Sequence, residues 1–346
     1  MAKKNRVRQI IGALIFDVHR FIWGILSVRK TCLSPSWVFI RNRNENLISD
    51  TKYPGVKCSW QWTSDLYLPK VFPVFGRWLF RRAFRDFPIV FRDQPDITET
   101  EKPVVSFIIG HRGMERLPLL LATLRSIAGQ RGCGIECIVV EQDNEKFIQD
   151  ELPDWVRYIH TPLPDKNMPY SRSWAFNVAA QEAKSDCLIF HDNDMLVPAI
   201  YAKDIVRYCN QGYDFINLKR FIFYLDQVSS EKLAVTGDLS RTPVIEVIVQ
   251  NLEAGGSFGA GRQAYFDIGG FDERFVGWGG EDNEFWERAN TRKVYPYGYL
   301  PIVHLWHAPQ LEKKNRLDCD GVYRYKELKK QAPQNRIKEL RSDRNR

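Results

Sequence analysis

A chain of 346 residues, 44% hydrophobic and 13% aromatic, has enough apolar mass for a sizeable core, as one large domain or two modest ones. Its net charge of +8 is uneven: residues 1–100 carry 17 Lys/Arg against 8 Asp/Glu, residues 322–346 carry 9 against 3, and residues 101–321 carry 24 against 31. Basic ends suit an anionic partner such as membrane lipid, whereas the acidic middle argues against a nucleic-acid groove and suits a cation site. No CxxC occurs among the seven cysteines (Cys32, Cys58, Cys133, Cys137, Cys187, Cys209, Cys319), so structural zinc is disfavoured and reduced thiols in a cytoplasmic compartment are the expectation.

In chain order, Lys3, Lys4, Arg6 and Arg8 precede an apolar stretch at 10–26. Asp17, His19 and Arg20 interrupt it and no small-residue cleavage site follows, which disfavours a signal peptide and a membrane span. An interfacial helix and a buried helix of the fold both remain compatible. Residues 1–100 read as a basic, aromatic-rich extension. It contains Trp60-Gln61-Trp62 and an alternation of aromatics with arginines over 72–85, suited to a membrane surface, an anionic polymer or a neighbouring domain. Residues 94–102, polar and acidic with one proline, read as a linker.

From 103 onward the period alternates. Strands are predicted at 104–109, 136–140, 156–159 and 187–190, and helices at 117–127 and 171–183 with Ser171 as N-cap. Gly132 and Gly134 favour a turn around Cys133. Alternating strands and helices imply an α/β fold with a mainly parallel sheet covered on both faces, whose ligands bind beyond the carboxyl ends of the strands. Residues 218–250 show no clear assignment. A helix is expected at 283–289, and a basic tail over 322–346 holds helix-prone segments at 323–328 and 335–340.

Two acidic clusters carry the chemistry. His191-Asp192-Asn193-Asp194 closes the apolar run at 187–190. An Asp-x-Asp triplet alone usually marks a solvated turn, but a strand end aims the carboxylates into a cleft. A divalent ion held there bridges phosphate oxygens. Gly277-Trp278-Gly279-Gly280-Glu281-Asp282 then leads into the helix at 283–289. Helix starts attract carboxylates on their own account, but that does not explain three glycines around Trp278. His304 and His307 share a face if helical and point apart if extended. Beside a cation site, such a pair reads as ligands. There is no HExxH, GxSxG or Walker loop.

On these residues the chain resembles the GT-A glycosyltransferases, most closely the β-1,4-galactosyltransferase type, and also the transferase modules of bacterial chondroitin-type polymerases. The resemblance runs in order over about 104–316. Val105-Ser106-Phe107-Ile108-Ile109-Gly110-His111-Arg112 stands where that family has a strand ending in Pro-Phe-Arg. Tyr170-Ser171-Arg172-Ser173-Trp174-Ala175-Phe176-Asn177-Val178 resembles its Phe-Asn-Arg-Ala…Asn-Val-Gly helix. His191-Asp192-Asn193-Asp194 resembles its Asp-Val-Asp, and Gly269-Gly270-Phe271-Asp272 its Asn-Gly-Phe. The Gly-Trp-Gly-Gly-Glu-Asp string is the most specific feature. His307 ahead of Lys313-Lys314-Asn315 resembles its metal-binding His ahead of Lys-Lys-Asn, and His304 stands where that family carries a Met ligand.

The resemblance implies a GT-A α/β domain over 101–321 and an inverting transfer of a hexose (Gal, GalNAc, Glc or GlcNAc) from a UDP-sugar. Mn²⁺ or Mg²⁺ would be bound by Asp194, His307 and His304. Arg112, Arg172, Asp192, Trp278 and Gly280 would contact the donor. Asp282 would be the general base and Glu281 would hold or orient the acceptor. The acceptor would be a glycan or lipid-linked glycan of surface polysaccharide or lipopolysaccharide, made at the inner membrane face. Two other readings compete. A sugar nucleotidyltransferase needs a better phosphate loop than Gly110-His111-Arg112-Gly113, and a glycan-binding membrane scaffold would lack metal-dependent UDP binding.

Overall fold

The structure is a computed structural model that describes residues 2–26, 33–59, 63–96, 103–239, 242–308 and 320–344. Trp60-Gln61-Trp62, most of the expected linker, Cys32, Cys319 and Lys313-Lys314-Asn315 lie outside the described residues.

Four apolar runs form the parallel heart of the main sheet. Val105–His111 pairs on one side with Ile135–Gln142, which pairs with Val156–Thr161, and on the other side with Cys187–His191. Strands covered on both faces show continuous rather than alternating hydrophobicity, and every residue of Val105–His111 and Cys187–His191 is buried. Alternate side chains go to opposite faces. Phe107, Ile109, Val139 and Ile189 join one apolar cluster, while Ile108, Ile138, Val140, Leu188 and Phe190 join the other. Ser257–Gly261 adds antiparallel to Cys187–His191, and short strands Phe215–Ile216 and Val294–Tyr295 complete that edge.

The helix Arg172–Glu182 covers one face, burying Ala175, Phe176, Ala179 and Ala180. The Ser171 side chain caps it, accepting from Trp174 N–H at 3.4 Å, as the sequence predicts. Leu117–Ala128 is helical as predicted. The expected helix at 283–289 begins two residues earlier, as Glu281–Ala289.

The segment without clear periodicity, 218–250, builds a second sheet. Lys219–Leu225 runs antiparallel to Ile245–Gln250, and the helix Gln227–Thr236 links them. On its other edge Lys219–Leu225 pairs in parallel with Leu300–His304, which pairs antiparallel with Met195–Leu196. Ser64–Asp65 from the N-terminal region adds to the outer edge. Buried Arg220 fastens that region further, donating from Nε to Val38 O at 2.7 Å and from Nη2 to Ile40 O at 2.6 Å. Near the C-terminus, helix Pro333–Arg344 sends buried Arg336 to Glu284 at 3.1 Å and Glu287 at 2.7 Å.

Candidate active site

One cleft of about 1770 Å³ opens at the carboxyl ends of the central strands. It is lined by every residue to which the sequence assigned a role: Arg112, Arg172, Asp192, Asp194, Trp278, Gly280, Glu281, Asp282, His304 and His307. That volume exceeds the roughly 300–1,000 Å³ of a single small-molecule site, leaving room for two substrates.

The deep end is built by backbone pairing. Cys187–His191 ends in Asp192, whose N–H donates to Gly256 O at 2.8 Å. The chain then turns directly into Met195–Leu196, where Met195 sits opposite His304. Leu305 N–H donates to Asp194 O at 2.9 Å, and His304 and Asp194 thereby become neighbours although 110 positions apart in sequence. His304 Nε2 lies 3.8 Å from Asp194 Oδ1 and His307 Nε2 lies 3.3 Å from Oδ2. Neither of the two geometries weighed for the His pair applies. His304 ends a strand, the chain leaves the sheet after it, and both rings converge on one carboxylate.

The ligand atoms of Asp194, His304 and His307 all lie within 4.8 Å of one another. Asp194 is buried and its Oδ1 accepts no hydrogen bond among the described residues, an arrangement that is costly without a cation. His307 Nδ1 stands 2.8 Å from Ala308 O and 3.0 Å from the Arg116 guanidinium, which can only donate, while its Nε2 faces Asp194. Tyr224 stacks on His304 with centroids 4.2 Å apart and fixes its ring. Burial works to raise Asp194, but His304, His307 and Arg116 outweigh it and hold the carboxyl below the usual range. One carboxylate and two imidazoles suit Mn²⁺ or a similar divalent ion.

His191, though part of the acidic cluster, faces away from the cleft. It is fully buried, hydrogen-bonded to Ser257 Oγ at 2.7 Å and Met195 O at 3.0 Å, and burial pushes it down to about 4. Asn193 likewise serves the scaffold, through His111 Nδ1 at 2.8 Å.

The other end is organised by Arg172. Its guanidinium pairs with Asp192 at 2.7 Å, hydrogen-bonds Asp282 Oδ1, and lies 3.9 Å from Glu281. Burial opposes the charge, yet the three carboxylates more than compensate and raise its pKa. Burial pushes Asp192 up to about 6, with Asp194 and Asp282 adding and Arg172 opposing. Burial and the Asp282 charge push Glu281 up to about 7. Glu281 Oε2 accepts from Gly279 N–H at 3.1 Å, so this carboxylate braces its own loop, while Asp282 borders the cleft.

The glycines of that loop all take positive φ, and at Gly280 close packing adds to the requirement. Gly280 has φ 89°, and a Cβ there would come within 2.7 Å of Gly321 O and 2.8 Å of Tyr325 Cβ. Arg112 donates to Met168 O at 2.7 Å, at the cleft wall.

Three further side chains at or behind the cleft have no place in the sequence reading. Arg116 reaches Asp194 at 3.6 Å and His307 Nδ1 at 3.0 Å. Tyr224 is the stacking partner already described. Lys219 is buried behind the acidic pair, donates to Glu253 O at 2.8 Å and to Ser257 O, and is pushed by burial down to about 7. Two cations, Lys219 and Arg220, opening an otherwise apolar strand were the available signal.

A profile of Glycosyl transferase family 2 matches residues 114–273, and one described as N-terminal domain of galactosyltransferase matches 250–300. No curated protein matches. Among solved structures, one described as GalNAc-T7 with UDP, GalNAc and Mn²⁺ is 16% identical with a TM-score of 0.41, over 63% of this chain and 48% of that one. A mannosyltransferase from Pyrobaculum calidifontis, with GDP-Man and Mn²⁺, is 14% identical with a TM-score of 0.41, over 70% of this chain and 67% of that one. The chain thus spans about half the length of the first of these.

Proposed function

We propose that this chain is a glycosyltransferase of the GT-A type that resembles the galactosyltransferases, and that it is an inverting, metal-dependent one. It moves a hexose from a UDP-sugar to a hydroxyl of a glycan or lipid-linked glycan, in surface polysaccharide or lipopolysaccharide synthesis. The observation that carries this reading is the Asp194–His304–His307 cluster and the Arg172–Asp192–Asp282 cluster facing one cleft at the strand ends.

Asp194, His304 and His307 would hold Mn²⁺ or Mg²⁺, which would supply charge neutralisation for a diphosphate leaving group. Asp192 takes the donor ribose side, Arg112 and Arg172 the phosphates, and Trp278 with Gly280 the loop over the sugar. Asp282 accepts the acceptor proton. As the acceptor oxygen bonds to the anomeric carbon on one face, the bond to UDP breaks on the other, the electron pair leaves with UDP and the configuration inverts. In the structure Asp282 Oδ1 accepts from Arg172, so it is freed as base when the guanidinium turns to the diphosphate. Glu281 orients the loop that carries Asp282.

The test is UDP release from a panel of UDP-sugars without acceptor, with Mn²⁺ and with EDTA. Mn²⁺-dependent release from one sugar is expected and names the donor. Release from none, with no UDP binding by calorimetry, overturns the reading.

A further inference from the structure

The outer face of the N-terminal helices takes no part in the cleft. Ala2–Phe16 and Val18–Leu26 run as one nearly continuous helix. Asp17 N–H donates to Ala13 O at 3.0 Å and Phe21 N–H to Asp17 O at 3.1 Å across the junction. Its inner face is spent on the fold: Ala13, Asp17, Phe21 and Gly24 are buried at four- and three-residue spacing. Phe21 meets Phe75 edge-on at 5.6 Å, and a Cβ on Gly24 would lie 2.4 Å from Ile40 Cγ1.

The opposite face is apolar and exposed. Val7, Ile11, Ile15, Ile22 and Leu26 fall on one helical row and are 44–70% exposed, with Leu14, Phe16 and Trp23 beside them. A soluble surface rarely shows so many large apolar side chains together. The stretch Arg6–Leu26 is long and apolar enough to span a bilayer by length and composition. Its docked inner face, including buried Asp17 and Arg20 donating to Asn42 O at 3.1 Å, argues for lying along an interface instead.

Charge selects the occupant. Exposed Arg6 and Arg8 flank the row, and Asp17, the one acidic residue between 6 and 26, is turned inward. The adjoining helix Pro73–Asp86, which carries Phe75, exposes Val74 with Arg77, Arg81 and Arg85 at four-residue spacing. Its acidic residue, Asp86, is held by Trp37 Nε1 at 2.9 Å and Arg82 at 3.4 Å, with Arg85 at 3.9 Å. Exposed apolar side chains with exposed arginines on the same and the adjoining helix match the boundary of acyl chains with anionic headgroups. We propose that this face docks the enzyme, in the plane of the interface, on a bilayer carrying anionic lipid.

The full chain is sedimented with vesicles of phosphatidylcholine alone and with vesicles about one-third phosphatidylglycerol. Binding to the anionic vesicles is expected, weakening as salt rises. Ile15→Glu with Ile22→Glu lowers the partition coefficient at least about tenfold. Arg77→Gln with Arg85→Gln lowers it roughly 25-fold, at about fivefold per charge. The arginine pair lies on a separate helix, so it decides the matter should the isoleucine pair disturb folding. Equal binding to both vesicle types overturns the anionic assignment. Binding to neither overturns the proposal. Concentration-dependent self-association that the isoleucine pair abolishes, without vesicle binding, assigns the face to a second copy instead. None of these readouts depends on the donor or on turnover.

Discussion

At one end of the cleft a single carboxylate, Asp194, faces two imidazoles; at the other a single guanidinium, Arg172, faces three carboxylates. Arg116 adds a cation 3.6 Å from Asp194 in the first cluster, yet Asp194 Oδ1 accepts no hydrogen bond among the described residues. The second sets one guanidinium against three carboxylates, and Arg172 Nε is likewise buried without a hydrogen-bond partner among the described residues. A buried polar atom without a partner marks where a ligand completes the fold, and each end has one of opposite sign, fitting a cation at Asp194 and an anion at Arg172. On the proposed reading the same acidic residue types serve two ends: cation binding where imidazoles converge, and a guarded base where an arginine intervenes.

The comparison breaks most sharply at Asp194. Asp194→Asn should lower kcat/KM at least about a thousandfold, with no recovery on adding Mn²⁺. Retention of a tenth of the activity would move the cation elsewhere. Asp282→Asn should lower kcat by about a hundredfold to a thousandfold while calorimetric UDP affinity stays unchanged. Full activity in that variant removes the base assignment. Arg172→Lys keeps the charge but loses the planar fork joining Asp192 to Asp282. It should cost about tenfold to a hundredfold in kcat/KM and about 1–3 kcal/mol of stability, read by turnover and urea unfolding. An unchanged urea midpoint would show that the two carboxylates do not depend on the fork.

The smallest effect concerns pH. Glu281 is raised from its usual 4.5 to about 7, so folding favours its protonated form. Its contribution to stability is complete below pH 4.5 and is lost as pH rises through 7. Glu281→Gln removes that loss, so the variant should gain on the wild type by about 1–3 kcal/mol between pH 4.5 and 7.5. The difference between the two proteins is the quantity to measure. Buried His111 and His191, lowered to about 4, contribute stability that is lost as pH falls from 6.5 to 4, the opposite sense in the same window. A flat difference would mean that Glu281 ionises normally in its loop.

Legibility followed sequence distance. The runs ending at His111 and His191 could be placed because a short continuous apolar segment between turn signals has few alternatives to a buried strand. The Ser171 cap was readable for the same local reason. The 218–250 region was not. Its two strands find their partners at Ser64–Asp65 and Leu300–His304, and nothing inside the segment announces pairings so far away. Arg116 stood in no motif, and its role depends on the Leu117–Ala128 helix start facing the Asp194 turn.

Local chemistry along the chain therefore specified the residue types of the site and the strand end that bears Asp192 and Asp194. The loop string from Gly277 to Asp282 was legible in the same way, because these signals are short-range and carried by a few consecutive residues. Which of those residues meet was decided only by tertiary pairing. Met195 opposite His304 makes the Asp-His-His cluster, and Arg172 between two loops makes the ion-pair network. Direct attraction between exposed charges fades over about 8–10 Å of salt water. Only the packed sheets, closing chain separations of about a hundred residues, could bring these groups within reach of one another.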